Sequence, residues 1–303
     1  MLDSFFHLEN VVDFKLNRGI YWKMKVIIIS CIFMFLCAKC FCEDKFYEAI
    51  KVGDMKIIEE IVGERSEIVN TKLDMRSYPL NEAAMFGRAD ILRLLLEKGA
   101  MKTNLDEKTG NCALLDLAKS SNSMTQTKLN DFKKCIDVFG EYKFDFNQKN
   151  KMQETALLLV SYSEQRGQGA ALLAELVEYL VKKGAKFEKN DGLMNWIFTH
   201  PRSHGGKKGD YPRLELAKTL VKCGSDVNTR DDESKETPLI VLLGNKKIPD
   251  EKKEELVKLL MEHGANQWAR SKDGRRPIHL VDRKSRLYEI LKKTKELKTC
   301  KDE

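Results

Sequence analysis

The sequence has few of the residues that punctuate or cross-link a chain. Its 303 residues include six prolines and five histidines, and its 18 glycines follow no short period. That excludes a collagen-like chain and a proline-rich low-complexity one. Of eight cysteines, Cys31, Cys37, Cys40 and Cys42 crowd near the N-terminus, leaving Cys112, Cys135, Cys223 and Cys300 widely spaced downstream. None of these last four forms a C-x-x-C pair, so a zinc ribbon, a redox motif and a disulfide scaffold are not indicated for the mature chain, while a single bridge among them stays open. Neither charge sign dominates strongly: 53 basic against 46 acidic residues leave a net charge of +7. Hydrophobic residues make up 42%, enough to bury a core, so disorder along the whole chain is excluded.

Long apolar runs are also missing. Val26 to Ala38 is a thirteen-residue stretch without charge, preceded by Lys23 and Lys25 and followed by small residues around Cys40 and Cys42. A spanning helix needs about 20 apolar residues, so this layout reads as a secretory signal over residues 24–42, with the mature chain starting near Glu43. Residues 1–23 are then an upstream extension or leader, with Met24 the expected start. The alternative is a membrane anchor formed by residues 26–42.

Signatures of catalysis are equally sparse. His200 and His204 have i,i+4 spacing, but the intervening Pro-Arg-Ser lacks the glutamate of a zinc peptidase, and Pro201 breaks the helix both rings would need. Gly205-Gly206-Lys207-Lys208-Gly209 lacks the order of a phosphate-binding loop and reads as an insert. No nucleophile elbow is present. No enzyme, cofactor or metal is expected.

What the sequence does contain is a repeat. Residues 78–100 read YPLNEAAMFGRADILRLLLEKGA. Tyr78-Pro79-Leu80 opens a first helix, Ala83-Ala84 permits close helix approach, and Gly87 ends it. Ile91, Leu92, Leu94, Leu95 and Leu96 supply the core face of a second helix, and Gly99-Ala100 closes it with a residue suited to a left-handed cap. The closing motif recurs at Phe139-Gly140, Gly184-Ala185, Gly224-Ser225 and Gly264-Ala265, with the glycines 41, 44, 40 and 40 residues apart. The opening recurs at Cys112-Ala113-Leu114, Thr155-Ala156-Leu157, Asn195-Trp196-Ile197, Thr237-Pro238-Leu239 and Arg276-Pro277-Ile278. Phe46 to Val62 forms a divergent first unit, and Gly274 to Lys292 a truncated last one.

This pattern resembles the ankyrin repeat, over about residues 46–292. The resemblance implies an all-α ankyrin-repeat solenoid of stacked helix-turn-helix units with finger loops, about seven units over residues 43–298, with 299–303 as a tail. It also implies stability built from contacts between neighbouring units, and an extended concave face formed by fingers and first helices. The units depart from the usual length of about 33 residues. From opening residue to closing glycine, Tyr78–Gly99 spans 21 residues, whereas the next four units span 28, 29, 29 and 27. The additional residues are expected in inter-helix loops at Ser121–Lys128, Ser163–Gly169, Pro201–Pro212 and Asn245–Lys252, with further lengthening of the helix at Ala170–Lys183.

Candidate fingers are Asp106–Gly110, Lys149–Gln153, Asn190–Gly192, Arg230–Glu236 and Ser271–Arg276. Trp268 occupies a finger position where the family usually has a small polar residue. Because Trp and Arg are enriched in binding hot spots, Trp268 with Arg270, Arg275 and Arg276, joined by Arg230 and Asp231, is the candidate partner contact. The same side chains also suit a tryptophan packed on the cap among solvated arginines. Charge concentrates at the same end: Arg270 to Lys301 holds twelve basic and four acidic residues, a net of +8, while Glu43 to Ala269 is nearly balanced. The expected function is an exported, non-enzymatic module that binds another protein through its concave face, acts as a monomer, and works in the periplasm or outside the cell if the source is bacterial. The alternative is a peripheral binder of an anionic membrane or polyanion through the basic C-terminal cap. No aromatic interleaving marks a nucleic-acid platform, so no nucleic acid is expected.

Overall fold

The computed structural model describes residues 25–29, 41–73, 77–122, 124–163, 169–200 and 211–299, with the side chains of 212 and 293–299 left aside. The leader, most of the signal segment, His204, the insert 205–209, Cys300 and residues 300–303 lie outside the described residues. Within them every regular element is a helix.

Helix α1 spans residues 41–52 and α2 spans Met55–Glu64, followed by a 3-10 turn at Ser66–Asn70. Then come α3 (Pro79–Met85), α4 (Ala89–Glu97), α5 (Ala113–Lys119), α6 (Gln126–Glu141), α7 (Ala156–Tyr162) and α8 (Gly169–Lys182). The remainder is α9 (Leu193–Thr199), α10 (Pro212–Lys222), α11 (Pro238–Gly244), α12 (Asp250–Glu262), a 3-10 turn at Pro277–Leu280 and α13 (Arg286–Thr299). Successive helices pair, and the pairs stack in chain order, through both first and second helices at most joints and mainly through the second helices α8 and α10 at the joint between the fourth and fifth pairs.

Each of the first helices α3, α5, α7, α9 and α11 is seven residues long. Helices that short are unstable alone in water, because nucleation fixes several residues for one hydrogen bond. Their sequences start them locally: proline stands in the first turn of α3 and α11, where its missing N–H is no loss, and the Thr155 hydroxyl caps α7. Stacking then holds them. Leu80, Ala83 and Ala84 of α3, Leu114 and Leu117 of α5, and Leu157 and Val160 of α7 are buried in one core with Leu92, Leu95, Phe132, Ile136, Leu176 and Leu180 of the second helices. Ala83 and Ala84 have no exposed surface, as expected of a small pair that lets helices approach.

The turns out of the second helices use the left-handed backbone at Gly99 (φ 87°), Gly184 (106°), Gly224 (93°) and Gly264 (85°). One expectation fails here. Helix α6 runs through Gly140 to Glu141, and the left-handed turn residue is Lys143 (φ 56°). A second correction concerns the fifth pair. Helix α9 starts at Leu193 on Gly192, so its opening is Gly192-Leu193-Met194 and not Asn195-Trp196-Ile197. The slip is three residues, close to one helical turn, which leaves the apolar face unchanged and so invisible to periodicity.

Loop lengths are corrected as well. The connections after α5, α7, α9 and α11 are longer than the one joining α3 to α4, as expected, but the second helices also grow. Helix α4 has nine residues, while α6 has 16, α8 has 14, α10 has 11 and α12 has 13. Thr125 caps α6 inside the stretch expected to be loop, and Asp250 opens α12 inside another. Cys112, Cys135 and Cys223 are free thiols. Burial raises the thiol of Cys135 to about 12, so it stays protonated. No helix among the described residues is long and apolar enough to cross a membrane.

Candidate interaction surface

The fingers are built by aspartates. Asp106 Oδ1 accepts from the Thr109 amide and hydroxyl, both at 2.7 Å, and from the Lys108 amide at 3.1 Å. Asp231 repeats the arrangement with the Ser234 amide (2.7 Å), the Ser234 hydroxyl (2.9 Å) and the Glu233 amide (3.1 Å). These donors favour the charged form, backbone amides foremost, and hold both carboxyls below the usual carboxylate range. Fingers also bind each other: Lys151 N–H donates to Thr109 O at 3.0 Å, and Lys272 N–H to Ser234 O at 2.7 Å.

The six candidate contact residues fall into two groups. Asp231 and Arg230 are used inside the scaffold. Arg230 Nε donates to Lys235 O at 3.2 Å and its Nη2 to Arg270 O. Trp268 is 43% exposed, and the Arg276 guanidinium lies over its ring at 5.7 Å. Arg275 is exposed and pairs with Asp273 (3.1 Å) and Glu236 (3.5 Å), and Arg270 is exposed beside them. The structure thus brings Trp268, Arg270, Arg275 and Arg276 onto one end of the finger row.

Trp268 also marks an end in another sense. Asn147 and Asn228 each lie four residues after a left-handed turn residue, Lys143 and Gly224. Each reaches to the next unit: Asn147 Nδ2 to Gly184 O (3.2 Å) with Lys186 N–H to its Oδ1 (2.8 Å), and Asn228 Nδ2 to Gly264 O (2.9 Å) with Asn266 N–H to its Oδ1 (2.7 Å). Asn70 makes the same clamp to Gly99 O and Met101 N–H, at 2.9 and 2.7 Å. Trp268 holds the corresponding position after Gly264, in the last such turn.

A second aromatic group was missed by sequence reasoning. Tyr162 of α7 meets Trp196 of α9 edge to face, with ring centroids 4.8 Å apart. The Arg213 guanidinium covers Trp196 at 4.5 Å, and its Nη1 donates to His200 O at 2.8 Å. Nearby, Asp191 accepts from Leu193 N–H with one oxygen, while its Oδ2 is buried without a hydrogen-bond partner among the described residues. Burial first, then the neighbouring Asp226 and Glu188, push its carboxyl up to about 6. Correct registration of α9 would have placed Trp196 on the inner face. His200 is bound up at the end of α9, its Nδ1 3.1 Å from Trp196 O. Among the described residues no cluster of three or more His, Cys, Asp or Glu is arranged to hold a metal ion.

No family model and no curated protein matches the sequence. Solved structures do match by shape. The ankyrin repeat domain of Bcl-3, described as a unique member of the IkappaB protein family, superposes with a TM-score of 0.59 at 17% identity, covering 82% of this chain and 97% of that one. The chain has the ankyrin-repeat fold. The human ASB11 ankyrin repeat domain matches with a TM-score of 0.52 at 18% identity, covering 82% of this chain and 96% of that one. An ankyrin repeat domain from Acinetobacter baumannii AYE gives 0.50 at 20% identity, covering 72% and 95%. With identities this low the likeness is one of ankyrin backbone geometry and stacking order.

Proposed function

We propose that this ankyrin array is an exported, non-enzymatic module that acts as a monomer and holds another protein against its concave face. The observation that carries the reading is the finger row. Its aspartate-braced, mutually bonded turns present Trp268 and three arginines on a stiff support, so a partner loses little extra entropy in ordering them. The layout of residues 24–42 supports export. The test is capture by the full chain with chemical cross-linking, comparing wild type with Trp268→Ala and with Arg275→Glu plus Arg276→Glu. A partner retained by wild type and lost by these folded variants supports the reading; partner capture equal in all three sinks the finger site. N-terminal sequencing of fractionated cells tests export: an intact Met1 in the cytosol rejects it.

A second reading rests on the cap. Arg283, Lys284 and Lys292 are exposed and make no ion pair among the described residues, in a segment of net charge +8. An anionic lipid surface or another polyanion suits that charge. Co-sedimentation with phosphatidylserine vesicles that fades as salt rises, and vanishes on deletion of residues 270–303, supports it.

A further inference from the structure

The inner face of the array is polar at one end and apolar along the rest. The fourth residue of α5, α7, α9 and α11 is half-buried, whereas Glu82 at that position of α3 is buried; in a stacked array the first helices border the concave surface. Read along the stack, the fourth residue is Asp116 in α5, Leu159 in α7, Trp196 in α9, Val241 in α11 and Leu280 in the terminal 3-10 turn. Four consecutive units thus place an apolar side chain at one equivalent position. The Tyr162 ring bridges the step from α7 to α9, and Gly244 at the end of α11 lies beside Leu280, whose Cδ1 is 3.9 Å from where a Cβ would stand. At the polar end Asp116 accepts from the Asn81 and Asn111 amides, both at 2.8 Å, and makes no ion pair with any described cation. Beyond the other end the chain runs from Leu280 into the basic cap, where Arg283 and Lys284 are exposed.

We infer that this stripe seats an amphipathic α-helix of the partner, laid along the groove with its N-terminus towards Asp116 and its C-terminus towards the basic cap. The inference rests on the protein-binding reading above and specifies the chemistry of the partner. Three features select a helix. Stacked helices lie about 8–10 Å apart, and seven residues of an α-helix rise about 10.5 Å, so side chains seven positions apart meet successive units. An extended segment would set its unpaired backbone groups on an apolar surface, and the described residues offer no strand edge to satisfy them. The charges match a helix dipole, acidic under its N-terminus and basic under its C-terminus.

The test uses a phage-displayed library of randomised peptides about 25 residues long, enough to span the stripe as a helix, selected on the immobilised full chain. The expected winners are helical by circular dichroism, repeat apolar residues every seventh position, and bind at least tenfold more weakly to folded Val241→Lys and Leu159→Lys variants. Their binding is unchanged by Lys134→Ala, a change at an exposed position of the second helix α6. No enrichment over a blank support, winners without the seven-residue spacing, or binding indifferent to both lysine variants would overturn the inference. Size-exclusion chromatography adds a further outcome: an assembly of wild-type chains that Val241→Lys dissociates assigns the stripe to a second copy and overturns it too. The underlying reading fails separately. If cross-linked capture survives Val241→Lys but is lost in Trp268→Ala, protein binding stands and the helix seat falls; if capture is indifferent to both, protein binding by this face falls.

Discussion

The joint between the third and fourth helix pairs and the joint between the fourth and fifth do the same job by different means. In the first, α5 packs on α7 and α6 on α8, and polar bonds cross at every level. Asn147 clamps the next turn, Lys151 N–H joins the fingers, the Ser121 and Ser163 hydroxyls pair, and Asn150 Nδ2 donates to Asn111 Oδ1 at 3.0 Å. Lys133 pairs with Glu175, and Asp137 takes both Lys183 Nζ and the Tyr179 hydroxyl at 2.6 Å. In the second joint α8 and α10 pack closely through Leu173, Leu176, Val177 and Leu180 against Leu216, Ala217, Leu220 and Val221, while α7 and α9 scarcely meet except through Tyr162 and Trp196. No ion pair joins α8 to α10 among the described residues, and the finger here is short. Asn190 N–H to Asp226 Oδ2 (3.0 Å) stands where the asparagine clamp would be. The lesson is that a repeat array needs only apolar contact to stack, whereas directional bonds fix how two units sit.

The contrast can be broken most forcefully at Leu220, buried in the second joint. Leu220→Ala should cost about 2–5 kcal/mol. Urea unfolding followed by circular dichroism should then split into two transitions, with the C-terminal pairs melting first; a single shifted transition would mean that the two joints are equally coupled. The next test is pH. Asp191 has a folded value of about 6 against an ordinary 3.8, so the folded chain holds more protons between them. Its contribution is most favourable below 3.8 and diminishes as pH rises through about 6. Asp191→Asn keeps the oxygen that accepts from Leu193 N–H and should raise the melting temperature at pH 7 while leaving it unchanged at pH 3.5. An unchanged value at pH 7 would refute the placement of that carboxylate.

Asn147→Ala removes two bonds across the first joint, worth about 1 kcal/mol each. Scanning calorimetry should show this loss, with little change for Glu188→Ala at the matching position of the second joint. Lys143→Gly should stabilise by up to about 1 kcal/mol, because Lys143 is held at φ 56° where glycine is at ease. The smallest effect belongs to Lys133→Ala, a surface ion pair worth about 0–1 kcal/mol and screened by salt. A larger loss would show that the polar joint depends on its charges more than on its clamps.

The fold was legible because a stacked array writes the same local requirements many times over. Proline or threonine at a helix start, paired alanines and a glycine after the second helix each have a local physical cause. The failures came where a cause was shared or absent. Gly140 looked like a cap, but a helix interior tolerates a glycine at a cost of about 1 kcal/mol, and Lys143 took the turn instead. The opening at Asn195 slipped by a turn because apolar spacing repeats at that interval. The candidate surface was read more poorly. Trp268 stands beside Arg276 in the last turn, while Arg230 and Asp231 are bonded into the finger, and the apolar position at Trp196 stayed hidden behind the misplaced opening.

From residues alone came the paired helices, their order and the need for neighbours, since seven-residue helices with one apolar face cannot stand unsupported. Tertiary structure alone decided which joints are locked by polar bonds and which side chains line the groove. Those contacts link residues 29 (Asn70 to Gly99) to 48 (Arg93 to Glu141) positions apart, and no local pattern encodes a partner at that distance.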